Sequence, residues 1–261
     1  MNKWYAHQSS WDAQQDVYRP DRESGLRAMC EVVARGCVKQ APRILDLACG
    51  CGSVTARLLK RLPSAQVVGI DRDPVLLRIA KEIWTDDPRV TIVQADLRDI
   101  AWRGRPEIGQ FDAVVTAASL HWFEPEDLEA LYRAIASCLS PGGLFANLDW
   151  IQIAKAPALQ GLSDSYVRAR EDTILAEDGG HHSSWSEWWA QVLADPDLTA
   201  EAAERSAMDV PRSAEHMADE DWHRSELSAA GFDEVGVVWR SFSSAVIVAR
   251  REDRPGPKSR E

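Results

Sequence analysis

Through the first 150 residues, short apolar runs alternate with segments of helical periodicity. The runs are Ile44 to Leu47, Gln66 to Ile70, Val90 to Ala95, Phe111 to Val115 and Leu144 to Asp149. Between them lie helical stretches at Val54 to Leu62, Pro74 to Trp84 and Pro125 to Leu139, the last opened by a proline suited to a first helical turn. Strands that alternate with helices in this way call for a parallel sheet covered on both faces. After Asp149 the alternation stops. Residues 151–222 are mixed and helical in character, and a helix at Asp221 to Ala230 and two apolar runs, Val235 to Trp239 and Ala245 to Ala249, then close the pattern. The charged, proline-containing tail, 251–261, is expected to be disordered.

The first apolar run ends in a glycine pair, Gly50 and Gly52, where a strand hands over to a helix that Ser53 is expected to cap. A helix N-terminus would then face a ligand. The dinucleotide fingerprint G-x-G-x-x-G places a third glycine where this chain has Thr55, which disfavours a pyrophosphate. Asp46, at the end of the first strand, would bring a carboxylate near the pocket and suits a cationic ligand better. Asp71 ends the second run, close to the ~20-residue spacing at which an acid meets ribose hydroxyls. Asp96 follows the third run and could accept a hydrogen bond from an adenine amino group.

These residues resemble the class I S-adenosylmethionine-dependent methyltransferases. Leu45 to Gly52 is similar to that family's first motif, Val68 to Asp71 to its second-strand acid and Ala95-Asp96-Leu97 to its adenine-side motif. Phe111 to Val115 with Leu120-His121-Trp122-Phe123 resembles the fourth strand and its loop, and Leu139 to Leu144 the turn before the fifth strand. His121-Trp122-Phe123 looks more narrowly like the trans-aconitate methyltransferase branch, whose members methylate small carboxylic acids. Ala48 and Cys51 depart from the commonest glycine and threonine at their positions.

The resemblance implies a Rossmann-like, seven-stranded, mostly parallel α/β sheet with an antiparallel last strand, the two closing runs forming a hairpin at the sheet edge. Helices would cover both faces, and a helical lid would follow the fifth strand. It divides the chain into an N-terminal helical arm over the cofactor (1–40), a core (41–150), a lid (151–222), the end of the core (223–250) and the tail. S-adenosylmethionine, with S-adenosylhomocysteine as product, would be bound by Asp46, Ala48, Gly50, Gly52, Asp71, Arg72, Asp96, Leu97, Thr116 and Ala117. Tyr18, His121, Trp122, Trp150, Trp185 and Arg240 are the acceptor-side candidates. An ionised carboxylate acceptor needs no base and would want a cationic clamp, for which Arg168, Arg170 and Arg240 are available. A phenol, amine or carbon acceptor would want a base, and His121 is the candidate. A protein of this fold that binds the cofactor without transferring methyl is the other class to weigh, since fold does not settle function.

A net charge of −11 disfavours nucleic-acid backbones and anionic membranes. The first residues contain no apolar run of signal-peptide length, and nowhere do ~18 apolar residues follow one another, so a cytoplasmic protein with a small-molecule partner is expected. Cys30, Cys37, Cys49, Cys51 and Cys138 lack zinc-ligand spacing and read as reduced thiols. His181 and His182 are adjacent on a loop and would point to opposite sides, a poor arrangement for gripping one metal ion. Trp185, Trp188 and Trp189 fall on one helical face, which favours a seam that docks the lid over direct substrate contact.

Overall fold

The computed structural model describes residues 3–19, 21–177, 184–208 and 218–252. The expected alternation is present as β1 (Arg43–Leu47), α3 (Ser53–Arg61), β2 (Gln66–Asp71), α4 (Pro74–Ile83), β3 (Val90–Gln94), β4 (Phe111–Ala117), α5 (Pro125–Cys138) and β5 (Leu139–Trp150). Two helices precede β1, α1 (Lys3–Tyr18) and α2 (Arg22–Gly36). After β5 come α6 (Pro157–Glu177), α7 (Trp185–Leu193), α8 (Thr199–Ser206) and α9 (Glu220–Ala229), then β6 (Glu234–Ser241) and β7 (Ser244–Arg250). The seven strands form one sheet in the order β3-β2-β1-β4-β5-β7-β6, parallel through β5, with β7 antiparallel to both its neighbours.

Register sends alternate residues to opposite layers. Ile44 lies level with Val67 and Ala113 and packs with Leu26, Met29 and Val33 of α2 and Leu58 of α3. Leu45, level with Val68 and Val114, packs instead with Leu128, Tyr132 and Ile135 of α5 and Leu227 of α9. Such strands, buried on both faces, read as the continuous apolar runs seen in the sequence. Helix α2 lies close on β5 because Gly25 has no Cβ where one would meet Leu148 Cδ1 at 2.8 Å. The expected N-terminal arm therefore divides: α2 is a layer of the core, and α1 reaches across the strand ends.

A third apolar cluster fastens the segment after β5 to the rest. Trp188, Trp189 and Val192 of α7 pack with Trp4 of α1 and with Ile79 and Ile83 of α4. Trp11 sits in the middle, its ring centroid 4.7 Å from that of Trp188 and 5.5 Å from that of Trp185. Ser184 and Glu187 form a reciprocal capping box that starts α7 where these rings must dock.

Two local expectations are corrected. Gly52, in the left-handed region at φ 82°, caps α3, and Ser53 is its first residue, because the tight turn needs a residue free of a Cβ there. The fifth strand begins at Leu139: the expected turn pairs in register with Phe111 and then bulges before Ala113 meets Leu144. Among the described residues no helix is long and apolar enough to cross a membrane. Residues 253–261 of the tail, and His181 and His182, lie outside the described residues.

Candidate functional site

Four parallel strands end at one cleft of about 300 Å³, the edge at which open α/β sheets bind ligands. From the strand ends it is lined by Ala48 and Gly50, Asp71, Asp96 and Ala117. Trp11 of α1, Trp185 and Trp189 of α7 and Arg205 of α8 cover it. The glycine loop and β2 are tied together. Cys49 donates its backbone N–H to the Ile70 carbonyl at 2.9 Å, and Gly50 donates to Asp71 Oδ2 at 2.8 Å.

Asp71 Oδ1 accepts a second backbone N–H, from Asp73 at 2.9 Å. Burial pushes its carboxyl up to about 6, while these N–H donors and that of Arg72 pull the other way. Asp73 in turn caps α4, accepting from the N–H groups of Val75 and Leu76. On the loop, Ala48 and Gly50 both stand at φ 53°, so alanine occupies a left-handed position that glycine would take without strain.

The remaining cofactor-side candidates divide. Leu97 and Arg72 line the cleft with Asp96. Asp96 is a half-buried acceptor, with Arg72 at 3.2 Å and Arg98 at 3.6 Å. Asp46, Gly52 and Thr116 do not line the cleft, which corrects the expectation for all three. Asp46 is fully buried behind the loop, where its Oδ2 accepts the Thr55 hydroxyl at 2.6 Å. Burial pushes Asp46 up to about 7. Gly52 lies beneath the Trp84 indole, whose Nε1 a Cβ would meet at 2.8 Å. Thr116 is buried and hydrogen-bonded to Ser119 at 2.6 Å, so it shapes the loop after β4 from inside.

Of the acceptor-side candidates, His121 and Trp150 line not this cleft but a smaller cavity next to it, and His121 Nδ1 faces Asp149 Oδ1 at 2.8 Å. The Leu120 and His121 N–H groups donate to Asp149 Oδ2, at 2.7 and 3.2 Å, and the Trp150 N–H donates to Oδ1 at 2.8 Å. Arg19, buried beside them, donates to the same Oδ1 at 3.1 Å, and its guanidinium lies 5.1 Å from the Trp150 ring centroid. Burial opposes the charge of Asp149, yet His121, Arg19 and these donors hold it well below the usual carboxylate range. Trp122 and Trp185 line the cleft and are partly exposed. Tyr18 does not line it: its hydroxyl accepts the Trp185 N–H at 3.0 Å and so aligns α7.

Arg240 is turned away from the cleft. Its guanidinium donates to the carbonyls of Ile151 and Phe242 and to Glu220, so it ties the sheet edge to α9 and is not a clamp. The buried cation beside His121 is Arg19, which sequence reasoning passed over. Asp149 was legible in principle, since it ends the fifth strand as Asp71 ends the second. Arg205 carried no signal, because only the fold brings it to Asp73 at 2.7 Å, with its guanidinium 3.6 Å from the Trp189 ring.

Residues 44–143 match the family model described as a methyltransferase domain. Within these residues the chain is similar to a methyltransferase domain. The match covers the glycine loop, Asp71, Asp96 and His121, and ends before Asp149. Outside it lie α1, Arg19 and the whole covering segment. A trans-aconitate 2-methyltransferase of Azoarcus is 34% identical over 137 residues, 52% of this chain and 49% of its own. One of Mycobacterium tuberculosis is 33% identical over 159 residues, 61% and 53%. The chain thus spans about half the length of these curated relatives. Human N-acetylserotonin methyltransferase, solved with SAM, superposes with a TM-score of 0.55 at 15% identity, over 91% of this chain and 53% of that one, which shows a shared fold.

Proposed function

We propose that this chain transfers the methyl group of S-adenosylmethionine to a small molecule, with a carboxylate as the favoured acceptor. The observation that carries the reading is Asp71: a buried carboxylate at the end of β2, lining the cleft and already bonded to the glycine loop. Each of its oxygens spends one lone pair on a backbone N–H and keeps acceptor capacity for a ribose hydroxyl. The donor set fits the cofactor: Asp71 for the ribose, Asp96 for the adenine amine and the apolar Ala48, Leu97 and Ala117 beside them.

When bound, S-adenosylmethionine supplies an activated methyl on a sulfonium, so the protein need only align an acceptor and exclude water. Trp11, Trp185 and Trp189 cover the cleft and would exclude that water. The acceptor would approach along Trp122, whose ring stands 5.1 Å from that of His121. Arg19, buried next to His121, would give a carboxylate its counter-charge. The names of the curated relatives, trans-aconitate 2-methyltransferases, support this choice.

One observation favours a second reading. An imidazole fixed by a buried, ionised carboxylate is the arrangement of a general base, and a phenol, amine or carbon acid would use it. The deciding experiment incubates the protein with S-adenosylmethionine and panels of small carboxylic acids and phenols. Mass spectrometry then follows S-adenosylhomocysteine and methylated products. Methyl ester formation supports the first reading and an ether the second. Cofactor binding with no S-adenosylhomocysteine from either panel or from a cell-extract metabolite pool would overturn both.

A further inference from the structure

Behind the His121–Asp149 pair, on the sheet face covered by α5 and α9, lies a second, much smaller cavity of about 10 Å³. Its polar lining consists of His121, Asn147, Asp149 and His223. Asn147 is the anomaly. It sits in the middle of β5, level with Thr116 and Ile247, with no exposure to solvent, and among the described residues neither its side-chain oxygen nor its nitrogen has a hydrogen-bond partner. A buried amide with both groups unmet would cost several kcal/mol, and native interiors satisfy such groups with protein or with ordered water.

The other polar wall is ready to share a ligand. His223 of α9 is buried, and its Nδ1 is engaged with the Tyr132 hydroxyl at 2.7 Å, which leaves Nε2 for the cavity. Burial lowers the imidazole to about 4, so it stands neutral at physiological pH and can donate or accept at one nitrogen. The volume is that of about one water-sized sphere, and a water needs two to four polar partners. Asn147 supplies a donor and an acceptor, and His223 one more group.

We infer that this cavity binds a single ordered water, held by the Asn147 side chain and His223 Nε2. The water completes a buried polar path from Tyr132 through His223 and Asn147 to the wall formed by Asp149 and His121. The site is independent of the proposed reaction, since it follows from the unmet amide and the room beside it.

A crystal structure of the ligand-free protein at better than about 1.8 Å decides it. The expected result is a well-ordered water within hydrogen-bond distance of Asn147 and of His223 Nε2. An empty cavity, or an Asn147 side chain turned to bond protein groups, overturns the inference. Thermal melting of Asn147→Leu gives a second arm. If water satisfies the amide, the apolar replacement displaces it, strands His223 and lowers Tm by several degrees. If the cavity is dry, removing an unmet polar group raises Tm, which also overturns the inference. Should the variant not fold, the wild-type crystal structure alone gives the answer.

Discussion

His121 Nδ1 and Asp149 Oδ1 stand 2.8 Å apart, and the carboxylate in that pair also receives Arg19 and three backbone N–H groups. So many donors hold Asp149 ionised and His121 in one orientation. If the acceptor carries a proton that must leave, His121→Ala should lower kcat by ~10²–10⁴. A carboxylate acceptor should lose less, because it is already charged. Steady-state kinetics across pH check this, and a variant with wild-type kcat and KM throughout would remove His121 from the mechanism.

The same pair also stabilises the fold. Asp149→Ala strands Arg19 in a buried site, and breaking a buried charge pair costs about 3–5 kcal/mol. Because the folded carboxyl lies below its unfolded value, this stability is present above about pH 4 and fades as pH falls further. Denaturant unfolding at pH 7 and pH 3 should show the variant penalty shrinking at the lower pH. An equal penalty at both would contradict the linkage.

Asp46 should show the opposite sign. Its carboxyl is raised from 3.8 to about 7, so the folded chain holds a proton that the unfolded chain releases. Its contribution favours the fold below about pH 4 and is lost as pH rises to about 7, by on the order of 2–4 kcal/mol. Asp46→Asn keeps an acceptor for Thr55 and removes the titration. Its stability relative to wild type should therefore climb from pH 4 to pH 8, and a flat difference would show that Asp46 stays ionised in the fold.

For the cofactor, Asp71→Ala should weaken S-adenosylhomocysteine binding by roughly 30- to 150-fold, the loss of one charged acceptor from two hydroxyls. Calorimetry on the folded variant reads it directly. Unchanged affinity would place the ribose elsewhere.

Arg205 clasps α8 to the cleft through Asp73 and the Trp189 ring. An ion pair and a cation–π contact of about 1 kcal/mol each predict that Arg205→Gln speeds S-adenosylhomocysteine dissociation by about 5- to 30-fold, with smaller effect on association. Deleting residues 1–18, which removes α1 and keeps Arg19, should abolish turnover more than it lowers Tm. Full turnover in that truncation would exclude α1 from the cover.

Most of the sheet was legible because strands buried on both faces keep continuous apolar runs, and each of their neighbours is a helix of clear period. The loop acids were legible for a related reason: Asp71 and Asp96 interrupt apolar runs where only a strand end allows a charge. What sequence could not supply was direction in space. Asp46 follows the same pattern as Asp71, yet one pleat further back its side chain points into the interior toward Thr55. Arg240 looks as available as Arg19, but its backbone lies on the edge strand next to α9. Asn147 reads as one polar residue in an apolar strand, and only the packed layers reveal that none of the described residues reaches its amide.

The tryptophan seam makes the molecule its own optical gauge. Trp11 meets Trp188 edge-on, at 63° and 4.7 Å, and Trp188 meets Trp189 at 87° and 5.1 Å. Indoles held this close and this steeply inclined couple their electronic transitions, so the native state should display a strong near-ultraviolet circular dichroism signal. Any loosening of α7 from α1 should erase that signal and shift the emission to the red, and the gap between core and cover can be followed in real time without a dye.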